Sequence, residues 1–228
     1  MKLFTNLFFL IFITFSAVAQ QNVEAGFFAG FANYQGDLAE DQIEIGETKA
    51  AYGGYASYLL SPKVILRGNI FYGYIEGDDA NSPDLNGRGF QFTADVLEIG
   101  LNAQWLIFGR NRYNNSGIFV PQFTPYVSTG VALTTVTADL TFPNTDENNG
   151  MFPEVNDTDN FIVVPVSLGL RYELIEFLTL GFEVGARATF SDYVDNVSLA
   201  GNPNKNDCYL FGGFPLGYVF GSADNFNF

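Results

Sequence analysis

Apolar and polar residues alternate with a period of two through much of the chain. From Thr179 to Phe190, Leu180, Phe182, Val184, Ala186, Ala188 and Phe190 fall on one side. Thr179, Gly181, Glu183, Gly185, Arg187 and Thr189 fall on the other. Successive side chains of a strand point to opposite faces, so this segment predicts a strand with one apolar face and one polar, glycine-rich face. Val23, Ala25, Phe27, Ala29 and Phe31 oppose Glu24, Gly26 and Gly30 in the same way, and Ile70, Tyr72 and Tyr74 oppose Arg67, Asn69 and Gly73. Leu97, Ile99, Leu101, Ala103 and Trp105 oppose Glu98, Gly100, Asn102 and Gln104; Val164, Val166, Leu168, Leu170 and Tyr172 oppose Ser167, Gly169 and Arg171. Three more strands are expected near residues 49–60, 124–138 and 208–221, from their length and flanking turn residues, although their faces do not separate. The pattern predicts eight strands and no helix after the first twenty residues.

The connections alternate as well. Ser61-Pro62-Lys63 and Leu174 to Phe177 are tight, whereas residues 35–48, 77–89, 139–160 and 191–207 are long and polar. Short turns on one side and long loops on the other are the habit of bacterial outer-membrane barrels, whose short turns are periplasmic. One connection, Gly109 to Phe123, is long yet falls on the short-turn side.

A soluble ligand-binding barrel of the lipocalin type would alternate too, but with its apolar face inside and a charged exterior. Here the polar face is dotted with Gly and Ser, as a narrow interior demands, and the apolar face carries bulky Phe, Leu and Tyr. Composition points the same way: 25 Phe, 12 Tyr and 24 Gly accompany only 15% charged residues. The expected fold is therefore all-β, an eight-stranded antiparallel up-and-down transmembrane β-barrel of OmpA-like size, surrounded by outer-membrane lipid.

The first residues agree with export. Lys2 gives a positive start, Leu7 to Phe15 an apolar run, and Ala17-Val18-Ala19 a small-x-small cleavage site. That run is too short for a spanning helix, which needs ~20 apolar residues. The expected division is a cleaved signal peptide, 1–19, and an outer-membrane barrel domain, 20–228. The ending Asn225-Phe226-Asn227-Phe228 resembles the terminal aromatic signal read by barrel-assembly machinery.

Charge and missing residue types exclude several functions. A net charge of −15 argues against nucleic acid, whose phosphates require a Lys/Arg footprint. The absence of histidine removes His-based triads and the commonest zinc ligand, so no catalytic set and no cofactor are expected. Cys208 is alone and cannot form an internal disulfide. Of the 25 acidic residues, 17 fall in the four long polar stretches, where solvation accounts for them. The run Asn144 to Gly150 misses the spacing of a calcium-binding EF-hand loop, so no metal site is expected. On the polar faces of the strands, Glu24, Glu98 and Glu183 balance Arg67, Arg171 and Arg187. An eight-stranded barrel is just wide enough to be filled by side chains, so these six are expected to form an ionic plug.

Three segments carry a family resemblance. Phe31-Ala32-Asn33-Tyr34-Gln35-Gly36-Asp37-Leu38, Gly73-Tyr74-Ile75-Glu76-Gly77-Asp78-Asp79 and Arg187-Ala188-Thr189-Phe190-Ser191-Asp192-Tyr193-Val194-Asp195-Asn196-Val197-Ser198 resemble the PorG-like family of outer-membrane barrels. Asp192, Tyr193 and Asp195 lie in the most specific of the three. The resemblance implies a non-enzymatic barrel associated with type IX secretion, with periplasmic secretion-ring proteins as partners. A tether of that kind must present residues inward, and Arg110, Arg112 and Tyr113 of the long periplasmic connection are the candidate contacts. The alternative is a stand-alone envelope barrel of OmpA or OmpX type with acidic surface loops.

Overall fold

The fold comes from a computed structural model and is described for residues 23–35, 48–78, 91–110, 112–141, 156–189 and 208–220. The signal segment 1–19, the run 144–150, the trio Asp192, Tyr193 and Asp195, and the terminal tail lie outside the described residues.

Eight strands follow one another: β1 (Val23–Gln35), β2 (Lys49–Ser61), β3 (Val64–Asp78), β4 (Gln91–Leu106), β5 (Gln122–Thr141), β6 (Asn156–Ile175), β7 (Leu178–Thr189) and β8 (Cys208–Phe220). Each pairs antiparallel with the next, and β8 pairs back onto β1, from Val23 opposite Phe220 to Gln35 opposite Cys208, so the sheet closes without an edge. Closure removes the unpaired backbone groups that an open sheet would expose to lipid.

The two tight turns sit where the sequence predicts them. Ser61 Oγ accepts from the backbone N–H of Lys63 and of Val64, at 3.3 and 3.1 Å, which shapes the β2–β3 turn. A register shift accompanies each turn, at Leu59/Ser61 and at Glu173/Ile175.

All five faces predicted from alternation are oriented as expected. The large apolar side chains point out: Phe27, Ile70, Leu97, Ile99, Leu101, Trp105, Val166, Leu168, Leu180 and Val184 are all exposed. On β4 the run from Leu97 to Trp105 covers ~27 Å of strand at ~3.4 Å per residue. At a tilt of ~40° this projects to about 21 Å, comparable to the ~25 Å apolar band of membrane barrels. Near the turns the band ends in Tyr58, Trp105, Phe108, Phe123, Phe177, Tyr218 and Phe220, an aromatic girdle of the kind found where lipid meets water. A continuous apolar exterior of this extent does not suit a water-soluble barrel.

Two expectations need correction. Strands β5 and β6 have 20 residues each and reach further than the alternation indicates, so Asp139, Asp157 and Asp159 belong to strands and not to a loop. Alternation fades there because both faces change character: the outward Thr137 meets Thr158 and Thr135 meets Asn160 across the pair. The lumen is also less polar than predicted. Toward the long loops it is filled by Phe28, Tyr34, Phe71, Phe92, Tyr209 and Phe211 together with Ile75, Val96, Val136 and Val163. Ring pairs hold this plug together, Phe28 on Phe71 at 4.7 Å and Tyr34 on Phe92 at 4.8 Å.

Candidate functional site

Among the described residues, strand parity turns a set of charged side chains into the lumen. Glu24, Arg67, Glu98, Arg171, Glu183 and Arg187 all point inward and pair across the barrel. Arg67 Nη2 lies 2.7 Å from Glu183 Oε1, Arg187 Nε lies 3.1 Å from Glu98 Oε2, and Arg171 forms a close two-pronged pair with Glu24. The partners come from distant strands, β3 with β7, β4 with β7, and β1 with β6, so each pair ties opposite walls together.

Phenols complete the network. Tyr55 donates to Glu24 at 2.8 Å, Tyr126 to Glu183 at 2.5 Å and Tyr209 to Glu98 at 3.0 Å, while Thr179 adds a bond to Glu24 at 3.0 Å. A carboxylate with an arginine and one or more hydroxyls has its lone pairs used, which is what makes burial of a charge tolerable. Each of the two turn-side rings needs a glycine beside it. Tyr126 lies opposite Gly169 and Tyr55 opposite Gly26, and a Cβ at either glycine would strike the ring. Between the Arg67–Glu183 and Arg187–Glu98 pairs, Asn102 Nδ2 donates to Asn69 Oδ1 at 2.8 Å.

At the turn end a further group joins. Glu173, at the foot of β6, receives three guanidiniums: Arg112 Nε at 2.7 Å, Arg171 Nε at 3.2 Å, and Arg110 Nε in close contact. Arg112 also donates to the Glu176 carbonyl, and its guanidinium lies 5.4 Å from the Phe119 ring centre. Arg110 and Arg112 were expected to face the periplasm. Their side chains are instead only 4% and 2% exposed, because a buried carboxylate at Glu173 draws them into the lumen. They are therefore not available as surface contacts. Burial pulls the Arg110 guanidinium down to about 10 against the pull of Glu173, which still leaves it charged at neutral pH.

Anchored this way, residues 112–120 form a small ordered hairpin across the barrel mouth. Tyr113 bridges to Phe119, Val120 N–H donates to the Arg112 carbonyl at 2.8 Å, and Asn114 Oδ1 accepts from Ser116 and Ile118. Gly117 takes a positive φ of 72°, as this tight turn requires. Tyr113 donates to Glu176 Oε1 at 2.8 Å. Partial burial, helped by that bond, pushes its phenol up to about 12 from an ordinary value of ~10. In an alkaline titration followed by tyrosinate absorbance, the difference between wild type and Tyr113→Phe is therefore expected to appear near pH 12. A difference appearing near pH 10 would mean that the hairpin does not hold this contact.

The sequence reading named six of these charges but not Glu173 or the three lumen phenols. Glu173 shares the parity of Ser167, Gly169 and Arg171, so the alternation already placed it inside. The phenols lie on strands whose faces did not separate.

Comparison with known proteins adds the family and the fold. The family model described as Domain of unknown function (DUF6089) matches residues 1–227. No curated protein matches the chain. The structure is similar to Neisserial surface protein A, with a TM-score of 0.50 at 13% identity over 87% of this chain and 97% of that one. It is also similar to the N-terminal β-barrel domain of Pseudomonas aeruginosa OprF, with a TM-score of 0.45, 18% identity and the same coverage. Ail of Yersinia pestis gives 0.45 at 10% identity over 87% and 99% of the two chains. At 13% identity the likeness to Neisserial surface protein A concerns the fold alone, a closed eight-stranded antiparallel barrel of the outer-membrane kind.

Proposed function

The chain belongs to the DUF6089 family, and we propose that it is a non-enzymatic barrel of the bacterial outer membrane that acts as a scaffold and not as a pore. It is exported by a cleavable signal peptide, with the short turns facing the periplasm. The observation that carries this reading is the filled lumen. Three cross-barrel ion pairs, an Arg–Glu cluster at the turn end and an aromatic plug at the loop end follow one another along the axis. Ions crossing such an interior would have to break fully buried pairs, each of which costs several kcal/mol to separate.

The scaffold serves type IX secretion by linking the outer membrane to periplasmic ring proteins. Support comes from the resemblance of residues 31–38, 73–79 and 187–198 to PorG-like barrels. A long, ordered connection at the periplasmic mouth also fits a tether. With Arg110 and Arg112 turned inward, the part of it open to a partner is the hairpin tip around Asn114 to Val120. Affinity purification of the tagged barrel from detergent extract tests this. Ring proteins are expected to co-purify, and deletion is expected to block secretion. Recovery of the barrel alone with normal secretion would favour the stand-alone envelope barrel, a reading that the inward turn of both arginines supports.

A further inference from the structure

The barrel wall is uneven. Strands β3 to β6 have 15, 16, 20 and 20 residues, whereas β1, β2, β7 and β8 have only 12 or 13. The outward faces of the longer strands change chemistry in steps. Ile70, Ile99, Leu133 and Ile162 are cross-strand neighbours in one continuous apolar row, each more than half exposed. Two residues further toward the loop end comes the mixed row Tyr72, Leu97, Thr135 and Asn160, then Tyr74, Asp95, Thr137 and Thr158, then Glu76, Thr93 and Asp139.

The last two rows open into one surface cleft, bordered by Lys49. On the shorter strands the described outer positions include the apolar Phe31, Ala186, Ala188 and Leu210, and also Asn33, which follows Phe31 at the same parity and donates to Thr48 at 3.2 Å. Among the described residues the acidic part of the polar face lies on β3 to β5, continuous with the lipid-facing band. An amphiphile packed on the isoleucine and leucine row would place its headgroup against Tyr74, Asp95 and Thr137, ~14 Å further along the strands.

The chemistry of that headgroup follows from what lines the cleft. Three carboxylates, Glu76, Asp95 and Asp139, face a single ammonium, Lys49, which is already paired with Glu76 at 2.6 Å. A bare phosphate would be repelled, whereas a group carrying several hydroxyl donors is complementary, since one carboxylate can accept several hydrogen bonds. Asp95 already accepts from Tyr72 at 3.0 Å. The rings of Tyr72 and Tyr74 meet edge to face at 5.2 Å and supply an apolar edge beside the acceptors.

The geometry points to a binding site on the β3–β5 wall for the sugar headgroup of an outer-leaflet glycolipid. The acyl chains lie on Ile70, Ile99 and Leu133, and the sugar hydroxyls donate to Glu76, Asp95 and Asp139. The site rests on the outer-membrane reading, and heat-modifiable migration of the same sample on a gel reports that reading separately. The test reconstitutes the full mature chain in vesicles of phosphatidylethanolamine and phosphatidylglycerol with a phosphate-free glucosyl diacylglycerol, then identifies retained lipid by native mass spectrometry. Wild type is expected to retain the glycolipid over both phospholipids, also in the presence of EDTA. Asp95→Ala/Asp139→Ala, still heat-modifiable, is expected to retain at least about tenfold less. Equal retention by the variant, no preference over phospholipid, or loss of retention in EDTA would each overturn the proposal. The last would mean that a bridging cation, not direct donation by the hydroxyls, makes the contact.

Discussion

Glu98→Ala is expected to destabilise the barrel by about 3–5 kcal/mol, the usual effect of removing one partner from a buried pair. Arg187 is 1% exposed, and its guanidinium lies 4.8 Å from the Phe211 ring centre, so it has no route to water once its carboxylate is gone. Tyr209 would lose an acceptor at the same time. Urea unfolding in detergent, followed by loss of the fast-migrating gel form, measures the effect. A paired replacement, Glu98→Leu with Arg187→Met, is expected to recover most of the loss, because an apolar pair of similar volume often matches a buried ion pair. If the single variant proved as stable as wild type, the ionic layer would not be buried as described.

The second large effect is expected at Glu173. Glu173→Ala leaves Arg110, Arg112 and Arg171 without their shared carboxylate, at a cost of the same order, about 3–5 kcal/mol. The consequence should be local as well as global. The hairpin at the mouth is held by Arg112, so backbone amides such as those of Ile118 and Val120 should move from slow to fast hydrogen exchange while the strands stay protected. Proteases are expected to cut the variant near Asn115. Unchanged protection of the hairpin would show that Glu173 is not what holds it.

The barrel was legible in the sequence wherever the two faces of a strand differ in kind. Thr179 to Phe190 is the clearest case, since every inward residue there is polar or glycine. In β2, β5 and β8 the contrast is missing. Inward Tyr55 and outward Tyr52 and Tyr58 look alike, as do inward Phe211 and outward Phe214. A narrow lumen has to be filled, so large aromatic residues are as useful inside as outside. Glycine opposite tyrosine, Gly26 to Tyr55 and Gly169 to Tyr126, would have revealed the inward phase, but only once the strand register was known. Arg110 and Arg112 were misread for a related reason. Loop arginines ordinarily face water, and only the inward carboxylate of Glu173 across the mouth makes burial favourable. That pairing spans more than 60 residues of chain and leaves no local signal.

The most direct test of a lipid-facing exterior uses the chain's one tryptophan. Trp105 points outward at 59% exposure in the turn-end aromatic girdle. In reconstituted vesicles its emission is expected to be blue-shifted, quenched by lipids brominated on the acyl chain near the headgroup, and little affected by aqueous iodide. Strong quenching by iodide with no effect of brominated lipid would contradict a membrane barrel and restore a water-soluble one.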